Sequence, residues 1–220
     1  MDSINLLRKC IPHEEFDYQT VVAILGNYQH PRDKITSLLR KKEIIRIKKG
    51  IYIFGENNAR ESFSREVLGN MLYGPSYISL DYALHYHGLI PERTEAITSV
   101  TTGRKRRFST PVGLFFYQTI PLKAYPWGIK RIELSDNRSF FIASAEKAIA
   151  DKIYTDRGTA IRSQIEIKQY ILKHLRIDGH KLKELNTSLL LNIAKQYRSQ
   201  KIFLLSKWIE HFNKGSEKHE

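Results

Sequence analysis

Basic side chains concentrated at two places in the sequence are the residues best suited to bind a polyanion. Eight Lys and Arg residues fall within residues 32–49, against two acidic residues. The second group consists of four consecutive basic residues, Arg104, Lys105, Arg106 and Arg107. Lys and Arg bind phosphate through charge, and Arg can also bind the edge of guanine through two parallel hydrogen bonds. Both groups therefore indicate nucleic acid as a partner.

A helix is predicted to present part of the first group. Ile35, Leu38 and Leu39 lie at positions i, i+3 and i+4, which predicts an amphipathic helix over residues 31–42. Pro31 suits its first turn, because the backbone N–H that proline lacks would be unpaired there anyway. The face opposite the apolar stripe carries Asp33, Ser37 and Arg40, flanked by Thr36, Lys34 and Lys41. The alternative is an ordinary solvated amphipathic helix.

The segments around this helix predict a DNA-binding domain. Two shorter helical patterns precede it, over residues 4–10 and 17–26. Residues 44–48 and 51–54 follow it as two strands joined by a basic turn. Three helices followed by a basic hairpin predict a winged helix-turn-helix over residues 1–56. In that fold the third helix enters the major groove and the hairpin lies on the phosphates.

The predicted DNA contacts fall into two classes. Lysines are expected on phosphates, where position matters more than geometry, whereas Ser37 and Arg40 are the candidates for base contact. Thr36 flanks that pair on the same helix. The full predicted set is Lys34, Thr36, Ser37, Arg40, Lys41, Lys48 and Lys49.

The pattern of the chain changes after a polar linker at residues 55–58, and residues 57–159 are predicted to form an α+β domain with antiparallel hairpins. Predicted helices cover residues 62–73, 79–87 and 144–154, with Ser79 and Ser144 as caps. Predicted strands cover residues 96–101, 112–120, 129–134 and 139–142, with the Asp136-Asn137 turn between the last two. The four basic residues at 104–107 would form the tip of the first hairpin. That tip is either a second polyanion contact or simply a solvated turn.

Residues 160–220 are predicted to form a helical extension that packs on the second domain. One helix is expected near residues 161–171 and another over residues 182–197. A last apolar stripe consists of Ile202, Leu205, Trp208, Ile209 and Phe212. Such a stripe favours the core, and a partner-facing surface is the alternative. The fold class predicted for the whole chain is therefore α+β.

Composition excludes several classes of protein. The 220 residues carry 36 Lys+Arg and 23 Asp+Glu, a formal net charge of +13, which favours a polyanionic partner. One cysteine excludes an internal disulfide framework, and we expect no metal site and no cofactor. The apolar runs are too short for a membrane span, and the N-terminus does not resemble a signal peptide, so a cytoplasmic protein without a membrane partner is expected. Glu146 and Asp151 are poorly spaced for a catalytic pair, and we expect no enzyme.

Four segments of the middle domain resemble the AbiEi family of abortive-infection antitoxins in content, order and spacing. They are residues 77–92 (YISLDYALHYHGLIPE), 97–108 (ITSVTTGRKRRF), 110–117 (TPVGLFFY) and 142–154 (IASAEKAIADKIY). The hairpin with Lys49-Gly50-Ile51-Tyr52 agrees with the opening of that family. The resemblance covers about residues 15–155.

The resemblance implies the antitoxin of a type IV toxin–antitoxin system, encoded beside a nucleotidyltransferase-like toxin. Such a protein neutralises the toxin, without necessarily forming a stable complex, and represses its own operon in phage defence. It also implies binding to inverted repeats in promoter DNA, often with two protomers on one operator. The alternative function is a non-enzymatic protein-interaction module with a vestigial helix-turn-helix, and a catalyst that modifies the toxin is a third hypothesis.

Overall fold

The computed structural model describes residues 2–135 and 137–216, with side chains through residue 213. Within these residues the chain is an α+β protein with ten α-helices and two sheets. The first elements are α1 (Ser3–Cys10), β1 (Glu15–Asp17), α2 (Tyr18–Ile24), α3 (Pro31–Arg40), β2 (Ile44–Lys48) and β3 (Ile51–Phe54). The next are α4 (Arg65–Leu72), β4 (Ser76–Ile78), α5 (Leu80–Tyr86), β5 (Ile97–Thr101), β6 (Arg106–Thr110), β7 (Gly113–Thr119), β8 (Ile129–Glu133) and β9 (Ser139–Ala143). The last are α6 (Ala145–Thr155), α7 (Gln164–Gln169), α8 (Gly179–Lys183), α9 (Thr187–Tyr197) and α10 (Gln200–Ser216).

The N-terminal unit consists of α1–α3 and a small antiparallel sheet with the strand order β1-β3-β2. Leu7, Val21 and Leu38, one from each helix, are buried in a common core with Tyr52 and Phe54 of β3. The three helices and the hairpin lie where the apolar spacing predicts them. Strand β1 was not predicted, because a three-residue strand with two acids shows no apolar alternation.

The larger sheet has the strand order β6-β7-β5-β4-β9-β8 and mixes parallel and antiparallel pairs. Strand β5 pairs with β7 in parallel, and β4 pairs with β9 in parallel. The predicted antiparallel hairpin of residues 96–101 and 112–120 is therefore wrong, because β6 lies between them in sequence and pairs antiparallel with β7. Strand β6 is at the sheet edge and begins with exposed arginines, which hide its strand pattern.

Helices cover both faces of this sheet. On one face α4 lies close to the sheet, since the Tyr117 hydroxyl of β7 donates to the Gly69 carbonyl of α4 at 2.7 Å. On the other face lie α5 and α6, where the Tyr77 hydroxyl of β4 donates to Asp151 of α6 at 3.1 Å. The alternation of side chains along each strand thus sends successive residues into two separate helix layers.

The C-terminal helices pack on α6 and extend the same core. Ile202, Leu205, Trp208 and Ile209 of α10 are buried, which confirms the core interpretation of the last apolar stripe. The single helix predicted over residues 182–197 is wrong. The chain breaks there between α8 and α9, where Glu146 accepts the backbone N–H of Asn186 at 2.8 Å and Asn186 caps α9.

The β2–β3 hairpin buries both of its faces. Ile44, Tyr52 and Phe54 belong to the N-terminal core, whereas Ile47 and Ile53 belong to the core of the larger sheet. A hairpin with one free face could move against the rest of the chain at little cost. This hairpin joins the two cores, so residues 1–56 are packed against the rest of the molecule.

Two adjacent carboxylates reinforce that packing. Glu15 accepts two hydrogen bonds of 2.8 Å from Nη1 of Arg138, which immediately precedes β9, and another from the backbone N–H of Ser64. Glu14 accepts from both terminal nitrogens of Arg8, at 3.2 and 2.8 Å, and from the backbone N–H of Arg60 at 3.1 Å. Both acids are nearly inaccessible to solvent, so the segment after the hairpin is held in place by charge-assisted hydrogen bonds.

The predicted Asp136-Asn137 turn includes a residue outside the described ones, although β8 and β9 on either side of it pair antiparallel.

Replacing Arg138 by Met should lower the free energy of unfolding by about 3–5 kcal/mol, because it leaves the Glu15 carboxylate buried without its cation. Arg131→Met is the matched control, since Arg131 pairs with Glu133 at 3.4 Å in an exposed position and should change stability by about 0–1 kcal/mol. Urea unfolding measures both. Equal effects of the two substitutions would show that the buried pair does not hold the units together.

Stability should also fall on mild acidification through His87. Its Nε2 lies 2.7 Å from the Ala143 carbonyl, and burial lowers the pKa of His87 despite this hydrogen bond. Between that lowered pKa and the ordinary value of about 6.5, the unfolded chain binds more protons than the folded one. The free energy of unfolding should therefore decrease as pH falls through this window. Urea unfolding at about pH 7 and pH 5 should show a smaller loss for His87→Gln than for the wild-type chain.

Candidate nucleic-acid interface

A basic cleft of about 750 Å³ separates α3 from the β2–β3 hairpin. Three bases and no acid line it among the described residues, with Tyr18 and Tyr52 as its aromatic walls. Its full lining is Tyr18, Arg32, Ile35, Thr36, Arg46, Lys49, Gly50 and Tyr52. The cleft concentrates positive charge beside the exposed face of α3.

The α3 wall of the cleft follows from the helical period. Burial of Ile35 and Leu38 fixes the rotation of α3, so Arg32 and Thr36, one turn apart, face the hairpin. The Thr36 hydroxyl donates to the Arg32 carbonyl at 3.0 Å, and the Arg32 Nε donates to the Tyr18 hydroxyl at 3.2 Å. These contacts hold the polar groups of the wall in one arrangement.

The opposite wall is the basic turn of the hairpin. Gly50 has φ of +87°, a left-handed conformation that suits glycine and closes the turn tightly. The Gly50 carbonyl accepts the backbone N–H of Tyr18 at 2.8 Å, which ties the turn to the start of α2. Lys49 therefore projects as an exposed cation from a fixed backbone.

A β-bulge separates Lys48 from the other predicted contacts. The register shifts between Arg46 and Lys48, and Arg46 stays opposite Tyr52 on the cleft side. The ammonium of Lys48 instead donates to the Leu72 carbonyl at 2.7 Å and lies 4.7 Å from the centre of the Phe108 ring. The structure therefore directs Lys48 toward the larger domain and not into the cleft, because the bulge adds one residue to the alternation.

The remaining predicted contacts lie on the outer surface of α3. Arg40 is exposed and Ser37 half-buried on the side opposite the buried stripe. Lys34 and Lys41 are exposed on the flank away from the hairpin, and the Lys34 ammonium lies 5.0 Å from the centre of the Tyr28 ring. The predicted set is thus spread over the crest of α3, its far flank and the cleft.

Three residues of the cleft, Tyr18, Arg32 and Arg46, are not among the DNA contacts predicted from the sequence. Features of the sequence could have indicated two of them as DNA contacts. Arg46 is a lone base between apolar strand residues, and Arg32 lies one helical turn before Thr36. The position of Tyr18 depends on its hydrogen bonds with Gly50 and Arg32, which join three separate elements.

The second basic group is not a hairpin tip. Arg104 and Lys105 lead into the edge strand β6, which begins with Arg106 and Arg107, and all four residues are exposed. No carboxylate pairs with them within the part of the chain that the structure describes. The Arg107 guanidinium lies 5.3 Å from the centre of the Phe116 ring, at a shallow hollow of about 500 Å³.

The two basic groups approach each other in the fold. Lys48 lies over the Phe108 ring of β6, and Arg106 is two residues before Phe108 on the same face of that strand. Lys49, at the hairpin turn, is the next residue after Lys48. Positive charge therefore continues from the hairpin turn toward the edge of the larger sheet.

A second arrangement of titratable side chains is a buried lysine–aspartate pair on α6. Lys147 Nζ lies 2.9 Å from Asp151 Oδ1 and donates to the Tyr197 hydroxyl and the Ala124 carbonyl, each at 2.9 Å. Burial lowers the pKa of Lys147, while the Asp151 carboxylate opposes that shift. Both side chains are completely inaccessible to solvent, so the pair is part of the core.

Ser79 joins this buried network and does not cap a helix as predicted. Its hydroxyl donates to Asp151 at 2.6 Å, and it makes no side-chain capping bond to α5. Ser144 does cap α6, where its side chain accepts the backbone N–H of Lys147 at 3.3 Å. The backbone N–H of Tyr82 in the first turn of α5, which a capping Ser79 would accept, donates instead to the Thr98 hydroxyl at 3.0 Å.

No group of three or more His, Cys, Asp or Glu side chains suited to a metal ion occurs among the described residues. In the same part of the chain, none of the helices has the length and apolar character needed to cross a membrane. No protein-family model matches the chain, and no curated protein matches it either.

Proposed function

We propose that the chain is a DNA-binding antitoxin that represses its own operon. The observation that carries the DNA-binding half is the basic cleft between α3 and the hairpin, with the exposed face of α3 beside it. In this proposal residues 1–56 form a winged helix-turn-helix in which α3 enters the major groove and the hairpin turn lies on the phosphates.

The cleft residues are assigned to the DNA backbone. Arg32, Arg46 and Lys49 surround one cleft without an acidic residue in its described lining, which suits the phosphates that border the groove. Lys34 and Lys41 would contact the strand on the far flank of α3. Lys48 is left out of this set because its ammonium is already bound inside the protein.

Arg40 and Ser37 are assigned to the bases. They lie on the crest of α3, opposite Ile35 and Leu38, where a helix in the major groove faces the base edges. Arg40 is exposed on a helix whose rotation is fixed by its buried stripe, which suits a bidentate contact with guanine. Thr36 connects the crest with the cleft.

The residues at 104–107 are proposed to extend the contact. No carboxylate pairs with them among the described residues, and the Lys48–Phe108 contact brings β6 next to the hairpin. DNA that runs past the hairpin would meet Arg106 and Arg107 with flanking phosphates. Such contacts add affinity without adding sequence preference.

The antitoxin half rests on the resemblance of four segments to the AbiEi family. Three of them supply β4, β5 and β7, which are neighbours in the centre of the larger sheet, and the fourth supplies the end of β9 and α6. Segments that are separate in sequence therefore come together as one core. This supports a resemblance at the level of the whole domain, since four matches scattered over the surface would not build a common fold.

Removing cleft cations should weaken DNA binding and flatten its salt dependence. Arg46→Ala and Lys49→Ala should each reduce the slope of log affinity against log salt by about 0.9, because one phosphate contact is lost. Lys195→Ala, an exposed lysine on α9, is the matched control and should leave the slope unchanged. Arg40→Ala should instead lower the preference for the upstream promoter over scrambled DNA by about 1–3 kcal/mol. Fluorescence anisotropy at several salt concentrations measures all four.

Equal affinity of the wild-type chain for promoter and scrambled duplexes would contradict the repressor proposal. A slope that responds to Lys195→Ala as strongly as to Lys49→Ala would show diffuse attraction and no defined cleft contact.

Co-expression with the nucleotidyltransferase-like toxin that the proposal expects to be encoded beside this chain tests the antitoxin half. The full-length chain should restore growth, and the Arg40→Ala/Lys49→Ala double variant should restore it too if neutralisation does not use the DNA contacts. Expression from a foreign promoter removes the effect of repression on toxin level. Absence of rescue by the wild-type chain would contradict the antitoxin proposal, and rescue without any promoter binding would favour the protein-interaction module.

A further inference from the structure

A second cleft, of about 880 Å³, lies apart from both basic surfaces and shares no lining residue with them. The start of α4, the exposed side of α5, the segment before β5 and the β6–β7 turn enclose it. Its volume is in the range of small-molecule sites. The side chains that matter for its chemistry are Arg65, Tyr82, His85, Tyr86, Arg93 and Thr94.

Three lining residues carry buried polar atoms without a partner. Arg65 Nε, His85 Nδ1 and Thr94 Oγ1 are buried and make no hydrogen bond to any described residue. A folded chain normally satisfies such atoms, because an unmade buried hydrogen bond is costly. The three residues that carry them come from separate segments and all line this cleft, which favours a polar ligand as its occupant.

The Arg65 guanidinium is held at this site without a balancing charge. Its Nη2 donates to the Glu95 carbonyl, and no carboxylate forms an ion pair with it among the described residues. It packs directly over Gly113, where φ is +123° and an added Cβ would lie 2.7 Å from Nη2. Glycine at this turn therefore makes room for a cation that the protein positions but does not neutralise.

The charge and the rings of the cleft define its ligand. Two cationic residues, Arg65 and Arg93, and one acidic residue, Glu95, line the cleft. The carboxylate of the nearby Glu66 accepts hydrogen bonds from the hydroxyls of Tyr82 and Ser64. Guanidinium, imidazole and hydroxyl groups together suit a phosphate group. The Tyr86 ring, 46% exposed at the cleft, offers a flat face for a base.

We propose that this cleft binds a nucleoside phosphate, with the phosphate on Arg65, Arg93, His85 and Thr94 and the base against Tyr86. This binding is separate from the proposed DNA contacts, because none of these residues lines the α3–hairpin cleft.

Isothermal titration of the full-length chain without DNA tests the proposal, with AMP, inorganic phosphate and adenosine as probes. AMP should bind saturably, phosphate more weakly but in competition with AMP, and adenosine most weakly. Arg93→Gln removes an exposed cation and should weaken AMP binding about ten- to hundredfold. Thr94→Val keeps the shape of the side chain and should also weaken AMP binding. Arg131→Gln is the control, an exposed arginine on β8 outside the cleft, and should bind AMP like the wild-type chain.

Absence of AMP binding at millimolar concentration would overturn the proposal. Unchanged AMP affinity in both Arg93→Gln and Thr94→Val, or equal binding of adenosine and AMP, would overturn it as well, because the phosphate would then not be the recognised group. Urea unfolding of each variant verifies that the fold is retained. Duplex affinity of Arg93→Gln should equal that of the wild-type chain, so the two proposals fail independently.

Discussion

The Glu15 carboxylate determines where the basic cleft lies relative to the larger sheet. It is buried, and a buried carboxylate needs a cation and hydrogen-bond donors. Arg138 beside β9 and the backbone of Ser64 supply them, from regions far apart in sequence. The hairpin packs between the two cores, and the Glu15–Arg138 contact joins β1 to the residue before β9. These contacts together set the orientation of the cleft between α3 and the hairpin on the larger domain.

Local patterns predicted the elements of the N-terminal unit but not their consequences for individual side chains. The apolar spacing of α3 and the turn at Lys49-Gly50 gave these elements correctly, because both depend on neighbouring residues. The bulge at Ile47 is different. At this bulge Ile47 is buried in the larger core, and the Lys48 ammonium donates to the Leu72 carbonyl rather than pointing into the cleft. One residue of register separates a proposed phosphate contact from a structural lysine.

Charged residues were the hardest to assign from sequence, since their roles depend on partners that the sequence does not indicate. Nothing in the sequence marks Glu14, Glu15, Lys147 or Asp151 as core residues, yet all four are buried. Their partners lie as far away as Arg138, or Tyr197 in α9. The cleft lined by Arg65 was also not predictable from the sequence, because the residues with unpartnered polar atoms come from segments that share no motif. Strand β6 was missed for the related reason that a basic edge strand has no apolar alternation.

The charge on β6 also bears on how copies of this protein behave toward one another. An edge strand presents unpaired backbone groups that can add a strand from a second sheet, and a six-stranded sheet invites such growth. Arg106 and Arg107 occupy that edge, with Arg104 and Lys105 directly before them. Two such edges repel each other when they approach. The positive charge that would attract a polyanion in the proposed function therefore also disfavours edge-to-edge pairing between two copies of this sheet.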